Sequence, residues 1–150
     1  MIYGNAVEGA ELSVESSIGT ITNGKTLFNY VGDVEILDLW SECITPNDAT
    51  ASTLQYAATP SGLSQRIISG ASASLASAAQ GTAVALDGTT LATAPNLYTA
   101  GVGLGQVARG INVIGNGVIS AIVAVGSTTG TWKHYLRYRP LSVGSYASGV

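Results

Sequence analysis

Charge is what this chain has least of. Of its 150 residues, 10% are Asp, Glu, Lys or Arg, where about 25% is usual for a globular domain. Lysine occurs only as Lys25 and Lys133, and no run of Lys and Arg exists. That removes the basic footprint on which nucleic-acid binding depends. Long apolar runs are missing too. The most apolar stretch, Val118 to Val125, falls far short of the roughly 18 residues of a membrane-spanning helix. Cys43 is the only cysteine, so no intrachain disulfide forms. Set in an apolar-rich pattern, it reads as a small buried hydrophobe. The opening Met1-Ile2-Tyr3-Gly4-Asn5 lacks the charged and apolar regions of a secretory signal, and the expectation is synthesis in a reducing cytoplasm.

What is present is 46% apolar residues at a net charge of −3, enough for one domain with its own core. Gly, Ser, Thr and Ala take the place of charge. A free monomer keeps itself soluble with interspersed surface charge. A chain without it either carries a Ser/Thr-rich surface or covers much of that surface with partners, and the exposed-looking aromatics favour partners.

Gly-containing turns recur every 8 to 12 residues between β-branched and aromatic stretches, a rhythm that predicts an all-β sandwich or barrel. Thr26 to Val31 reads as a strand stopped by Gly32-Asp33. Val34 to Ile44 is apolar on both parities: Val34, Ile36, Trp40 and Ile44 on one, Leu37, Leu39 and Cys43 on the other. That pattern predicts a central strand with a bulge near Asp38. Ser52 to Thr59 alternates, and Thr82 to Leu86 runs into Asp87-Gly88, a hairpin signal leading to Thr89 to Thr93. Ser61 to Gln80, rich in Ser and Ala, fits either short helical turns or an irregular excursion over the sheet edge. Gly101, Gly103, Gly105 and Gly110 lack the strand, helix and acid of a dinucleotide site and read as loop or bulge glycines. Met1 to Ser16, with Glu8, Glu11 and Glu15, is either an extended arm or a frayed end, leaving 17–150 as the domain proper.

In the C-terminal third, Val118 to Val125 is a strand, Gly126 to Gly130 a turn, and Thr131 to Leu141 the returning strand, ended or placed at an edge by Pro140. Side chains alternate across a pleat, so Trp132, His134, Leu136 and Tyr138 point one way. Lys133, Tyr135, Arg137 and Arg139 point the other. This second set is the densest polar-aromatic surface of the chain and the candidate interface, since interfaces enrich Arg and Tyr. It can meet an acid such as Glu35 or Glu42 in the same subunit, or a partner subunit, or simply face solvent.

Catalytic candidates are thin. His134 is the only histidine; without a His/Cys cluster no metal site is expected, and it reads as a packed or interface residue beside Trp132 and Leu136. No Gly-x-Ser-x-Gly elbow occurs. Asp38 and Glu42 on one strand face would stand about 13 Å apart, too far to act on one bond. No catalytic residue, cofactor or metal is expected, and the chain reads as a non-enzyme. A small hydrolase built on His134 is the minor alternative.

The stretch Gly117-Val118-Ile119, then Ser127-Thr128-Thr129-Gly130-Thr131-Trp132-Lys133-His134-Tyr135-Leu136-Arg137-Tyr138-Arg139-Pro140-Leu141 and the tail from Gly144 to Val150, resembles small virion proteins of tailed bacteriophages, of the capsid decoration (cement) and head-fibre type. In these a glycine-led strand, a Ser/Thr-Gly turn and a Trp- or His-bearing strand form the last hairpin. The specific part covers about the last 35 residues, and the strands from Thr26 and Val34 match the layout more loosely. The resemblance implies a jelly-roll β-sandwich, assembly into homotrimers, contact with the major capsid protein, and a place on the capsid exterior of the virion. The alternative is a carbohydrate- or receptor-binding module of a head or tail fibre, stacking sugars on exposed aromatics among Tyr98, Tyr135, Tyr138 and Tyr146.

Overall fold

The computed structural model describes residues 10–87, 91–100 and 110–150. Among them are eleven strands and no helix: β1 (Leu12–Glu15), β2 (Thr26–Val31), β3 (Val34–Cys43), β4 (Thr53–Pro60), β5 (Arg66–Ile67), β6 (Ala83–Ala85), β7 (Asn96–Tyr98), β8 (Ile111–Val113), β9 (Gly117–Ala124), β10 (Trp132–Pro140) and β11 (Tyr146–Gly149). They form two antiparallel sheets. The first runs β1-β10-β3-β6-β7, with β8 also paired to β3, and the second runs β11-β2-β9-β4-β5. The inward residues of both sheets join in one core that includes Trp132, Phe28, Tyr30, Tyr56, Leu39 and Ile119.

The two-sided apolarity of β3 has a local cause. Its register against β10 passes from Asp38↔Arg137 to Ile36↔Tyr138 and leaves Leu37 without a partner. This is the bulge expected near Asp38. One extra residue inverts the parity, so Val34 and Ile36 are buried before it and Leu39, Ser41 and Cys43 after it.

The connection from β9 to β10 is not the hairpin that the sequence suggested. β9 pairs with β2 and β4 in the second sheet, whereas β10 pairs with β1 and β3 in the first. The turn crosses between sheets because its polar groups bond to other segments. Thr128 Oγ1 accepts from Ile21 N–H, Asn47 Oδ1 accepts from Gly130 N–H, and Thr129 Oγ1 accepts from Asp48 N–H. β2 and β3 change sheets in the same way through Gly32, whose φ of 72° sits in the left-handed region that favours glycine.

Residues 61–80 hold only the two-residue β5 and no helical turn. The segment runs beside β4 and completes its hydrogen bonding. Ile68, Ser72 and Leu75 donate backbone N–H groups to the carbonyls of Tyr56, Leu54 and Ser52. The hydroxyls of Ser69 and Ser72 accept from Tyr56 and Leu54 N–H at 2.8 and 2.9 Å. Serine hydroxyls thus stand in for a strand ladder along one side of β4, which explains the Ser-rich composition better than helix propensity does.

Two further expectations are corrected. β6 finds its partner in β7, Asn96–Tyr98, rather than in Thr89 to Thr93; residues 88–90 lie outside the described set, as do Gly101, Gly103 and Gly105. Leu12–Glu15 is an edge strand paired to β10, so an arm within Met1 to Ser16 does not extend to β1; residues 1–9 also lie outside the described set.

Candidate interaction surface

β10 lies between β1 and β3, and its side chains alternate without a break from Trp132 to Pro140. Trp132, His134, Leu136 and Tyr138 are buried, while Lys133, Tyr135, Arg137 and Arg139 lie on the outer face, half-covered. The parity read from the sequence is the parity of the fold. Tyr138, offered above among exposed aromatics, is a core residue.

The antiparallel register brings acids against each outer cation. Arg139 Nη1 donates to Glu35 Oε1 at 2.8 Å, and its Nη2 lies 3.6 Å from Glu11. Arg137 pairs with Asp38 and reaches Glu11 at 4.0 Å. Lys133 pairs with Glu15, a hydrogen bond that raises its ammonium pKa. Tyr135 stacks on Trp40 with ring centres 5.0 Å apart and planes 11° from parallel, and Lys133 Nζ lies 5.4 Å from the Tyr135 ring centre. The Tyr135 hydroxyl donates to Glu42 Oε2 at 3.1 Å. Burial, then the Glu42 carboxylate, pushes that phenol pKa up.

Three of the six Lys and Arg residues and five of the nine Asp and Glu residues therefore meet on one sheet face. The four residues singled out from the sequence come together, with Glu35 and Glu42 among their partners. Glu11 and Glu15 were not foreseen, because their segment was read as an extended arm or a frayed end. Their spacing, Glu11-x-Ser13-x-Glu15, is nevertheless that of one strand face.

On the inner side of β10, His134 meets a serine. Ser41 Oγ lies 2.7 Å from His134 Nδ1 and 2.8 Å from the Tyr56 hydroxyl, which also reaches Val84 O at 3.2 Å. The Ser–His distance is one a nucleophile–base pair would have. Yet Ser41, His134 and Tyr56 are fully buried, and the second imidazole nitrogen has no partner where a triad would place an orienting carboxylate. Burial, followed by the Lys25 charge, holds the His134 pKa down to about 3, so the imidazole is neutral near pH 7. The cluster joins the two sheets, since Ser41 and His134 belong to the first and Tyr56 to the second. Cys43 is likewise buried, and burial pushes its thiol pKa up. Among the described residues no group of three His, Cys, Asp or Glu side chains is placed to hold a metal ion, and no helix is long and apolar enough to cross a membrane.

The outer face of the second sheet is of another kind. Its five strands carry a single charged residue, Arg66 of β5. Near β5 a cavity of about 670 Å³ opens between β4 and β8, lined by Leu63, Ile67, Leu91 and Ile114 together with Arg66. No family model matches the chain, and no curated protein or solved structure matches it either.

Proposed function

We propose that the chain is a structural subunit of a virus particle, a capsid decoration (cement) protein of the tailed-bacteriophage type, folded as a jelly roll and assembled as a homotrimer on the capsid exterior. The observation that carries this reading is the strand order. With β7, β8 and β11 set aside, the sheets read β1-β10-β3-β6 and β2-β9-β4-β5. The pairs β1·β10, β2·β9, β3·β6 and β4·β5 are those of one long hairpin whose successive levels fall into alternate sheets. That winding supports the jelly-roll reading, an architecture shared by viral capsid domains, lectins and cupins.

Fold alone does not choose among those functions. A metal cupin needs a ligand cluster, and the chain has one histidine, with its ring in the core. A sugar-stacking surface needs free aromatic faces. Tyr138 is buried and Tyr135 is stacked on Trp40, which leaves the exposed Tyr146 for the fibre-tip reading. The virion reading draws on the C-terminal resemblance and on a charge-poor surface with large hydrophobics left in solvent. A cement protein works by burying such surface across subunits and needs no catalytic group.

The test is co-sedimentation with capsids assembled from a tailed-bacteriophage major capsid protein, paired with light scattering on a sizing column. Saturable binding by a trimer is the expected result. Absence of capsid binding together with specific hits on a glycan array would replace this reading with the carbohydrate-binding one.

A further inference from the structure

Two apolar patches lie outside both the core and the charged face. The first is the cavity beside β5. Leu63, Leu91 and Ile114 on its rim are 67%, 53% and 59% exposed, and Ile67 is exposed beside them. A small molecule in the cavity would leave that rim in water, whereas a protein surface covers rim and cavity together. Arg66 lines the same opening. Lys25 donates to Thr20 O, and Lys133, Arg137 and Arg139 pair with acids; among the described residues Arg66 is the one Lys or Arg without a partner. The site therefore asks for an apolar projection with a carboxylate at its base.

The second patch has that form. Residues 142–145 make a tight turn in which Ser145 N–H and its hydroxyl both donate to Ser142 O, at 3.1 and 2.7 Å. Gly144, at φ 78°, takes the turn position that requires a positive φ. Val143 sits at the tip, 87% exposed, the most exposed large hydrophobic among the described residues. Tyr146 and Val31, partners in the β11–β2 register, are exposed beside it. Asp33 stands at the base of the turn, where its carbonyl accepts Leu141 N–H. One carboxylate oxygen of Asp33 accepts from Gly115 N–H at 2.7 Å, which leaves the other to accept from a partner.

We propose that these patches meet between copies of this chain: the Val143 turn of one subunit seats in the cavity of the next, and Asp33 pairs with Arg66. A cavity of about 670 Å³ takes several side chains, so Tyr146 enters with Val143. The two patches differ, so the contact is head-to-tail, and such contacts form rings when the rotation closes. They also lie on either side of one short turn. Ile114 belongs to the cavity rim, and the next two residues bond to the other patch, Gly115 N–H to the Asp33 carboxylate and Asn116 Oδ1 to Gly32 N–H at 2.9 Å. Patches on neighbouring sides of a subunit suit a ring of few copies. The inference deepens the self-assembly part of the reading above and rests on it for the number of copies.

The test uses two exposed, fold-neutral substitutions, Val143→Asp and Leu63→Asp, with circular dichroism as the folding check and light scattering as the readout. Wild type is expected to be a closed oligomer and each variant alone a monomer. Mixed in equal amounts, the variants should form a one-to-one dimer, because one retains the turn and the other the cavity. A wild-type oligomer that survives both substitutions overturns this contact while leaving self-assembly standing. Variants that stay monomeric when mixed overturn the head-to-tail geometry. A monomeric wild type removes the contact and the trimer together, and capsid co-sedimentation then judges the remainder of the reading.

Discussion

The two sheets share one core yet face solvent by opposite means. The outer face of the first holds an interlocked set of cations and acids around the Trp40–Tyr135 stack. The strands of the second carry Arg66 and no other charge. A composition of 10% charged residues is therefore no even dilution but a concentration on one side. The charged face pairs its own charges, although Arg137 Nε is buried without a hydrogen-bond partner. Each outer cation of β10 has an acid on β1 or β3, so a partner that desolvates this face must break pairs already made. The apolar patches that carry the proposed contacts lie off this face, with Arg66 at one and Asp33 at the other. Residues that look most interactive in the sequence need not be those with unmet bonding capacity.

The second sheet depends on neutral hydrogen bonds, so Ser69→Ala, which strands the buried Tyr56 N–H, should cost about 1–3 kcal/mol. Urea unfolding at pH 7 measures it, and a loss below about 0.5 kcal/mol, the low end for a single net hydrogen bond, would mean that the Ser69 hydroxyl does not stand in for the ladder at Tyr56.

The next effect belongs to the seam between the sheets. His134 is held neutral with its pKa lowered to about 3, while in the unfolded chain it titrates near 6.5. The unfolded state then binds the extra proton, so stability is full above about pH 6.5 and falls as pH drops towards 3. The slope is about 1.4 kcal/mol per unit, or about 2 kcal/mol between pH 6.5 and 5. His134→Gln should remove that part of the acid sensitivity. Equal pH slopes in the two proteins would refute a buried neutral imidazole.

The smallest effect is expected on the charged face. Arg137→Gln leaves Asp38 without its main ion pair, but solvent screens the site, and a loss of about 1 kcal/mol or less should follow. It should shrink further in high salt. A loss of several kcal/mol, insensitive to salt, would show that this face behaves as core.

Much of the local structure was legible in the sequence. The span of β2, the alternation of β10 and the bulge in β3 all follow from a period-two pattern that each strand carries in its own residues. The inside–outside split of Lys133, Tyr135, Arg137 and Arg139 from Trp132, His134, Leu136 and Tyr138 is of this kind, because pleating is a local property of the backbone. Recurring glycine turns between β-branched and aromatic stretches were enough to predict an all-β chain.

What the sequence left undetermined was decided by groups far apart in the chain. β9 and β10 stand on either side of a short turn but enter different sheets, because Ile21, Asn47 and Asp48 take up the turn's hydrogen bonds. Glu11 and Glu15 became partners of Arg139 and Lys133 through the register of an edge strand. Residues 61–80 were ambiguous by composition and found their conformation in the unpaired N–H and C=O groups of β4. Ser41, Tyr56 and His134 came together only when the two sheets closed on each other. Alternation is written residue by residue, whereas sheet membership depends on which distant segment offers the missing donor or acceptor, and that is settled only by the tertiary fold.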